Sequence, residues 1–202
     1  IDNVRFDTRG NANINRKKYL DTDRISQVDN YNLANFELAG YYDGFKFAAE
    51  YTMANVNRYN DLPSESFSGF YVMASSLLFG GKQLYNTYQG EFTQPRTGRS
   101  WGDVELAVRY DFLDLNSRMD GVMGGAGEGL TVGLNYYAAR NVKLMLNYGY
   151  HNYDRYANQR GRLFVGHDAN GDMTRDPFLV VDPSGEAGEK FHFLAFRVQV
   201  AF

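Results

Sequence analysis

The chain has 202 residues, a formal charge of −3 at pH 7, no cysteine, 16 tyrosines and 15 phenylalanines. No stretch approaches the roughly 18 apolar residues that a membrane-spanning helix needs, so a helical membrane protein is excluded. The nearly neutral charge gives no general reason to expect nucleic-acid binding. The low mean hydropathy of −0.49 is compatible with strands that turn only every second residue toward lipid.

Alternation of apolar and other residues is the dominant signal, and it recurs along the chain. A period of two indicates a β-strand with one apolar and one polar face. The clearest case is 104–112, where apolar residues at the even positions alternate with polar or small ones. We predict eight strands in the order 4–9, 32–41, 45–52, 67–79, 104–112, 130–137, 142–150 and 192–202.

The predicted connections alternate in length. Tight turns fall at 41–44 and 138–141, and the other connections are long and polar: 10–30, 53–66, 113–129 and 151–190. Short turns at one end and long loops at the other are typical of an outer-membrane barrel. The segment 80–101 is an exception, because it is long but belongs to the short-turn end.

A soluble β-sandwich is the alternative fold, since its strands alternate in the same way. Strands of about 10 residues, against the usual ~5–6 of globular proteins, favour the barrel. Apolar faces that end in Tyr or Phe also favour it, because aromatic girdles mark membrane interfaces. We therefore predict an all-β fold: an antiparallel up-and-down transmembrane β-barrel that forms a single domain over residues 1–202.

Two segments carry a family resemblance. WGDVELAVRYDFLDLN (101–116) and TVGLNYYAARNVKLMLNY (131–148) resemble the penultimate strands of the phosphate-selective porin O/P family, and 35–51 and 68–75 resemble earlier strands in the same order. The resemblance implies a porin of about 16 strands, of which this chain would be the C-terminal half. We expect the domain to be incomplete at its N-terminus. The alternative is a short barrel of eight strands, which would enclose little more than its own side chains.

The resemblance also implies a function and a location. It implies an outer-membrane protein of a Gram-negative bacterium that contacts lipid and lets small solutes diffuse passively, with phosphate or other anions as the permeant. It further implies a homotrimer, possible envelope protein partners, no cofactor and no catalysis. The alternative is a non-conducting structural or scaffold subunit of an outer-membrane complex. A hydrolase at the rim, with Ser75 or Ser76 and His151, is a third hypothesis with little support.

Six basic residues are predicted by alternation to face the lumen and to line an anion path: Arg5, Arg9, Lys46, Arg109, Lys143 and Arg197. Guanidinium and ammonium groups replace the water contacts that an anion loses on entering a pore. Arg5 and Arg9, four residues apart, would form a ladder of donors on one strand. Carboxylates fall on the same faces, so the opposing interpretation is that the charges pair with Asp7, Glu37, Glu50, Glu105 and Asp111.

Two loop segments carry weaker signals. Residues 167–176 (HDANGDMTRD) place polar side chains at alternating positions from Asp168, as a calcium loop does. Met173 stands where that loop needs glycine, and Leu179 where it needs a bidentate glutamate, so we expect a polar turn and no metal site. Residues 121–129 (GVMGGAGEG) follow no nucleotide-binding pattern and are predicted to form a flexible loop.

Overall fold

Seven long strands are the framework of the computed structural model, which describes residues 2–10, 18–117, 122–153, 166–174, 179, 181 and 189–200. The strands are β1 (Val28–Tyr42), β2 (Phe45–Arg58), β3 (Glu65–Leu77), β4 (Asp103–Asn116), β5 (Met123–Ala139), β6 (Val142–Tyr153) and β7 (Glu189–Val200). Each pairs antiparallel with its neighbours in chain order, so the sheet is an up-and-down meander. The described residues include no helix long and apolar enough to cross a membrane.

The prediction of an all-β antiparallel fold is confirmed, but the predicted first strand is wrong. Within residues 4–9 the chain bends, and Asn3–Val4 and Asp7–Thr8 pair with Ile25–Ser26 and Leu20–Asp21. This N-terminal hairpin (residues 2–10 and 18–26) stays outside the sheet. Within the described residues, seven long strands therefore take the place of the predicted eight. The edge strands β1 and β7 pair with no second neighbour among the described residues, so the sheet is open.

The glycine-rich segment of β5 is a strand, so the predicted loop over 113–129 is wrong. β4 and β5 pair along almost their whole length, with one irregularity near their ends. Gly127 lies opposite Tyr153, and Gly129 lies opposite His151. A Cβ at these glycines would come within 2.3 Å and 2.6 Å of the neighbouring rings. Glycine therefore makes room for the bulky rings of β6 and does not mark a loop.

The hydrophobic core lies between the N-terminal hairpin and one face of the sheet. The ring of Phe6 packs on that of Phe67 with centroids 5.3 Å apart, and Tyr19 stacks on Tyr153 at 4.9 Å. These contacts explain why the chain start folds onto the sheet and does not extend as a strand. The buried core residues are Tyr19, Leu20, Ile25, Val28, Ala54, Val56, Phe67, Leu115, Val122 and Tyr153.

The opposite face of the sheet is apolar, and no other described segment of the chain covers it. Along each long strand every second side chain points to this side, as the pleat requires. Leu146, in the middle of β6, is 41% exposed, and Phe196 on β7 is 66% exposed. We call this the apolar face; its exposed members include Phe36, Leu38, Phe47, Tyr51, Phe70, Val72, Leu106, Val108, Leu130, Val132, Leu134, Leu146, Tyr148, Leu194, Phe196 and Val198.

Residues 78–102 connect β3 to β4 and form a folded cap at the short-turn end. Asp103 anchors this cap, because its carboxylate accepts the backbone N–H of Phe79 at 3.0 Å and that of Gly98 at 2.9 Å. A small hairpin in the cap, Tyr85–Asn86 with Glu91–Phe92, packs against the ring of Tyr41. The cap therefore lies on the same side of the sheet as the N-terminal hairpin, at the opposite end of the strands. This contact accounts for the length of the segment.

Candidate functional site

The side chains that alternate with the apolar face form a polar face on the side of the cap and the hairpin. Strand register places Glu37 opposite Glu50, and Arg109 opposite Thr131, on this side. Most charged residues of the sheet therefore share one surface. Its charged members include Glu37, Lys46, Glu50, Glu105, Arg109, Asp111, Lys143 and Arg197.

Glu105 is buried at the cap end of the polar face and accepts hydrogen bonds from five side chains. Its Oε1 lies 2.9 Å from the ammonium of Lys46, and its Oε2 accepts from the hydroxyl of Tyr137 at 2.7 Å. The other donors are Ser75 at 2.7 Å, Gln83 of the cap at 3.0 Å and Asn135 at 3.1 Å. Lys46 is thus held in a buried ion pair, which also ties the cap to the sheet through Gln83.

A basic pocket of about 230 Å³ lies between the cap and the polar face. Lys46 and Lys143 line it together with the amide side chains of Gln94, Asn141 and Gln199. The ammonium of Lys143 lies 4.9 Å from the ring centroid of Tyr137, and it makes no salt bridge within the described ranges. Amide and ammonium groups around a half-enclosed space can donate hydrogen bonds to an anion.

Arg197 adds a third positive charge beside this pocket. Lys143 lies opposite Gln199 and Met145 opposite Arg197, so Lys143 and Arg197 are diagonal neighbours on adjacent strands. Such neighbours are about 7–8 Å apart. Among the described residues, Glu105 is the carboxylate that faces this group, so three positive charges meet one negative charge there.

Arg109 lies in the middle of the polar face, apart from the basic pocket. The carbon at the centre of its guanidinium is 3.9 Å from the ring centroid of Tyr71, and its Nε is 3.5 Å from Asp111. Register places Tyr71 between Glu50 and Asp111 on the neighbouring strands. The middle of the face is therefore richer in carboxylates than the cap end.

Arg5 and Arg9 lie in the N-terminal hairpin and on no strand of the sheet. The guanidinium of Arg5 donates to both carboxylate oxygens of Asp21, from Nε at 2.8 Å, and it lies 3.4 Å from Asp23. The hydrogen bonds to Asp21 raise the pKa of Arg5 above its ordinary value. Arg9 is exposed. The predicted ladder of two arginines along a sheet strand is therefore not formed.

The structure thus brings three of the six predicted residues together: Lys46, Lys143 and Arg197. Sequence reasoning missed the role of Ser75, Gln83, Asn135 and Tyr137, which complete the shell around Glu105. Alternation along β3 and β5 is enough to predict that the side chains of Ser75 and Tyr137 point to the polar face. Nothing in the sequence places Gln83 there, because the cap has no strand pattern that would fix its position. The length of 80–101, unusual for the short-turn end, was the signal in the sequence that this segment has a structural role.

Ser75 and His151 do not form a nucleophile–base pair. The hydroxyl of Ser75 donates to Glu105, whereas His151 is stacked between the rings of Tyr153 and Phe193. Register places the two residues four positions apart along the strands, roughly 13 Å, and three strands apart across the sheet, roughly 14 Å. Ser76 lies next to Ser75 on the strand and points to the other face.

Residues 166–174 form a polar hairpin turn, as predicted for the segment that begins at His167. Gly166–His167 pairs with Met173–Thr174. The carboxylate of Asp168 accepts the backbone N–H of Asn170 at 2.8 Å and that of Asp172 at 3.0 Å. These local hydrogen bonds account for the acidic and amide residues of the turn. Residues 175 and 176 lie outside the described ranges.

Comparison with known proteins yields a family match. The family described as phosphate-selective porin O and P matches residues 2–171. An uncharacterized protein of Caulobacter vibrioides is 34% identical over 87 residues, which cover 42% of this chain and 17% of that relative. The match thus spans about a sixth of the relative's length. Because the family match covers most of the chain, the resemblance predicted from the strand motifs is confirmed. The chain belongs to the phosphate-selective porin O and P family.

Proposed function

We propose that the chain forms part of a passive channel in the outer membrane of a Gram-negative bacterium. The uncovered apolar face is the observation that carries the proposal, because soluble proteins rarely expose an apolar patch of this extent. On β4 the alternation runs over 104–112, about 27 Å along the strand. Nine residues suit a bilayer, because a transmembrane strand tilted by about 45° needs roughly 9–11 residues to cross it. The apolar face then contacts lipid, and the polar face lines the pore.

The open edges of the sheet support a barrel that includes further strands. Lipid offers no hydrogen bonds to the free backbone groups on the outer sides of β1 and β7, so a membrane sheet must close. We propose that additional strands of the same protein complete the barrel, up to about 16 in the porin class. A homotrimer is the assembly that family membership suggests.

The permeant we propose is phosphate or another small anion. Lys143 and Arg197 attract anions to the cap end of the pore, because Glu105 offsets only one of the three positive charges there. Arg109 would be the next cation along the polar face. Lys46 supports the site mainly through its ion pair with Glu105. The ammonium and amide groups of the basic pocket would replace water around the anion.

Reversal potentials in planar bilayers test this proposal. A charge about 4 Å from an ion contributes about 1 kcal/mol in water-like surroundings. We therefore expect Lys143→Gln to lower the ratio of anion to cation permeability roughly fivefold, and Arg197→Gln to act in the same direction. Lys82→Gln is the matched control, because Lys82 is exposed and paired with Asp43 at 3.0 Å.

Two outcomes would contradict the proposal. An unchanged permeability ratio in Lys143→Gln and Arg197→Gln would remove the basic pocket from the anion path. A correctly folded complete protein that gives no conductance would favour the scaffold subunit over the channel.

A further inference from the structure

A second cavity, of about 320 Å³, lies between the N-terminal hairpin and the middle of the polar face. One wall is apolar, formed by Phe6 of the hairpin with Phe67 and Leu113 of the sheet. The other wall carries polar side chains of β2, β3 and β4: Glu50, Thr52, Tyr71, Arg109 and Asp111. A small molecule in this cavity would therefore contact apolar groups on one side and hydrogen-bonding groups on the other.

The polar wall holds charges of both signs close together. Register places Tyr71 between Glu50 and Asp111 on the neighbouring strands. The guanidinium of Arg109 lies over the ring of Tyr71, with its carbon 3.9 Å from the ring centroid, and its Nε is 3.5 Å from Asp111. Among the described residues that line the cavity, two carboxylates thus accompany one guanidinium. An anion would be repelled by both carboxylates.

The same wall offers both donors and acceptors to a ligand. Arg109 makes no hydrogen bond within the described part of the chain, although its side chain is 39% exposed and lines the cavity. Glu50 accepts the hydroxyl of Thr52 at 3.3 Å and that of Tyr71, and a carboxylate can accept about four hydrogen bonds. An ammonium group could donate to Glu50 but could not accept from Arg109. A hydroxyl group can do both.

We propose that this cavity binds an uncharged polyhydroxylated ring, a monosaccharide. Its hydroxyl groups accept from Arg109 and donate to Glu50 and Asp111, and its C–H groups pack against Phe6 and Phe67. Hydrogen bonds to ionised partners are the stronger kind, so a neutral ligand can gain from both signs of charge. The volume lies at the small end of ligand pockets, roughly 300 to 1,000 Å³, and suits one sugar ring. The site is separate from the basic pocket, and its occupation does not depend on ion conduction.

Saturation-transfer NMR on the complete protein tests the site, in a detergent that has no sugar headgroup. The probes are glucose, glucuronate and tetrahydropyran-2-methanol. Glucuronate has a carboxylate in place of the hydroxymethyl group, and tetrahydropyran-2-methanol has the same ring without the ring hydroxyls. We expect glucose to bind more tightly than either of the other two, because it has the hydroxyls without the added negative charge.

Two substitutions separate a neutral ligand from a charged one. Arg109→Gln and Asp111→Asn should each weaken glucose binding roughly tenfold, because each replaces a charge-assisted hydrogen bond with a neutral one. Asp43→Asn is the matched control, since it makes the same chemical change at an exposed turn outside the cavity. It should bind glucose like the wild type.

Several results would overturn the proposal. Opposite effects of Arg109→Gln and Asp111→Asn on binding would show that the cavity selects a charged ligand. Equal binding of glucose and tetrahydropyran-2-methanol would show that the polar wall does not recognise hydroxyl groups. Tighter binding of glucuronate than of glucose would make the cavity an anion site. Absence of glucose binding to the folded protein would remove the site altogether.

Discussion

Replacing Glu105 with alanine is expected to lower the free energy of unfolding by about 3–5 kcal/mol, the usual cost of removing one partner of a buried ion pair. The substitution leaves the ammonium of Lys46 without its carboxylate in a largely buried position. It also removes the acceptor for the hydroxyls of Ser75 and Tyr137 and for two amides. The cap loses the hydrogen bond from Gln83 to Glu105, so the short-turn end should loosen first.

Denaturant titration in lipid vesicles, followed by tryptophan fluorescence, measures this loss. The single tryptophan, Trp101, lies at the end of the cap and packs against Phe79 with ring centroids 4.8 Å apart. Its emission therefore reports on the cap and the adjoining strands. Glu37→Ala is the matched control, because Glu37 is exposed on the edge strand and accepts from Asn35 at 2.8 Å. Equal stability losses in the two variants would contradict the structural role of Glu105.

A double substitution separates the ion pair from the rest of the network. Lys46→Met combined with Glu105→Gln removes both charges while keeping most of the volume. We expect the double variant to be more stable than the sum of the two single losses predicts, because no unpaired charge remains buried. Strict additivity of the two losses would show that Lys46 and Glu105 do not depend on each other.

Leu146→Arg is the second substitution with a large expected effect. Leu146 lies in the middle of β6 on the apolar face. An arginine on the lipid side costs about 2–4 kcal/mol at the bilayer midplane. Asn147→Arg, one residue further and on the polar face, should cost no more than about 1 kcal/mol, since a lumen position stays in water. The two variants have the same added charge and nearly the same depth.

Folding yield and unfolding free energy in vesicles distinguish the two positions. We expect Leu146→Arg to fold poorly or unfold at lower denaturant concentration, and Asn147→Arg to behave like the wild type. The reverse order would mean that the faces are assigned the wrong way round. Equal small effects would indicate that the sheet does not cross a bilayer at all.

The sequence predicted the strands wherever side chains alternate strongly. β4 and β6 show this best, because their apolar side chains point to one face and few residues interrupt the two-residue alternation. The sequence predicts the start of β5 too late because its first seven residues are rich in glycine, and Gly127 and Gly129 admit the rings of Tyr153 and His151 from the next strand. The need for glycine at these positions comes from the rings of β6, so the sequence of β5 alone shows no alternation there.

Residues 4–9 show the opposite failure. Their alternation is genuine, but it serves a hairpin that packs Phe6 into the core and pairs Arg5 with Asp21. A period of two does not tell which strand is the partner, so a short hairpin and a sheet strand look alike. Only the contacts with Phe67 and Tyr153 decide between them.

The sequence predicts the face of the sheet to which the side chains of the candidate site point. It does not predict which charged groups form ion pairs. Alternation places Lys46, Lys143 and Arg197 on the same side of three strands, and register then brings them to one end. The sequence could not show that Glu105 neutralises Lys46, since this depends on how β2, β3 and β4 align. Nor could it show that Lys143 makes no salt bridge within the described part of the chain.

Thiol accessibility along β6 tests the central claim most directly: the apolar face contacts lipid, and the polar face lines water. The chain has no cysteine, so single substitutions at 143–148 give one reactive group each. Reconstituted protein is treated with a charged, membrane-impermeant thiol reagent. We expect cysteines at 143, 145 and 147 to react quickly and those at 144, 146 and 148 to be protected. Uniform reactivity, or protection at the odd positions, would contradict the account.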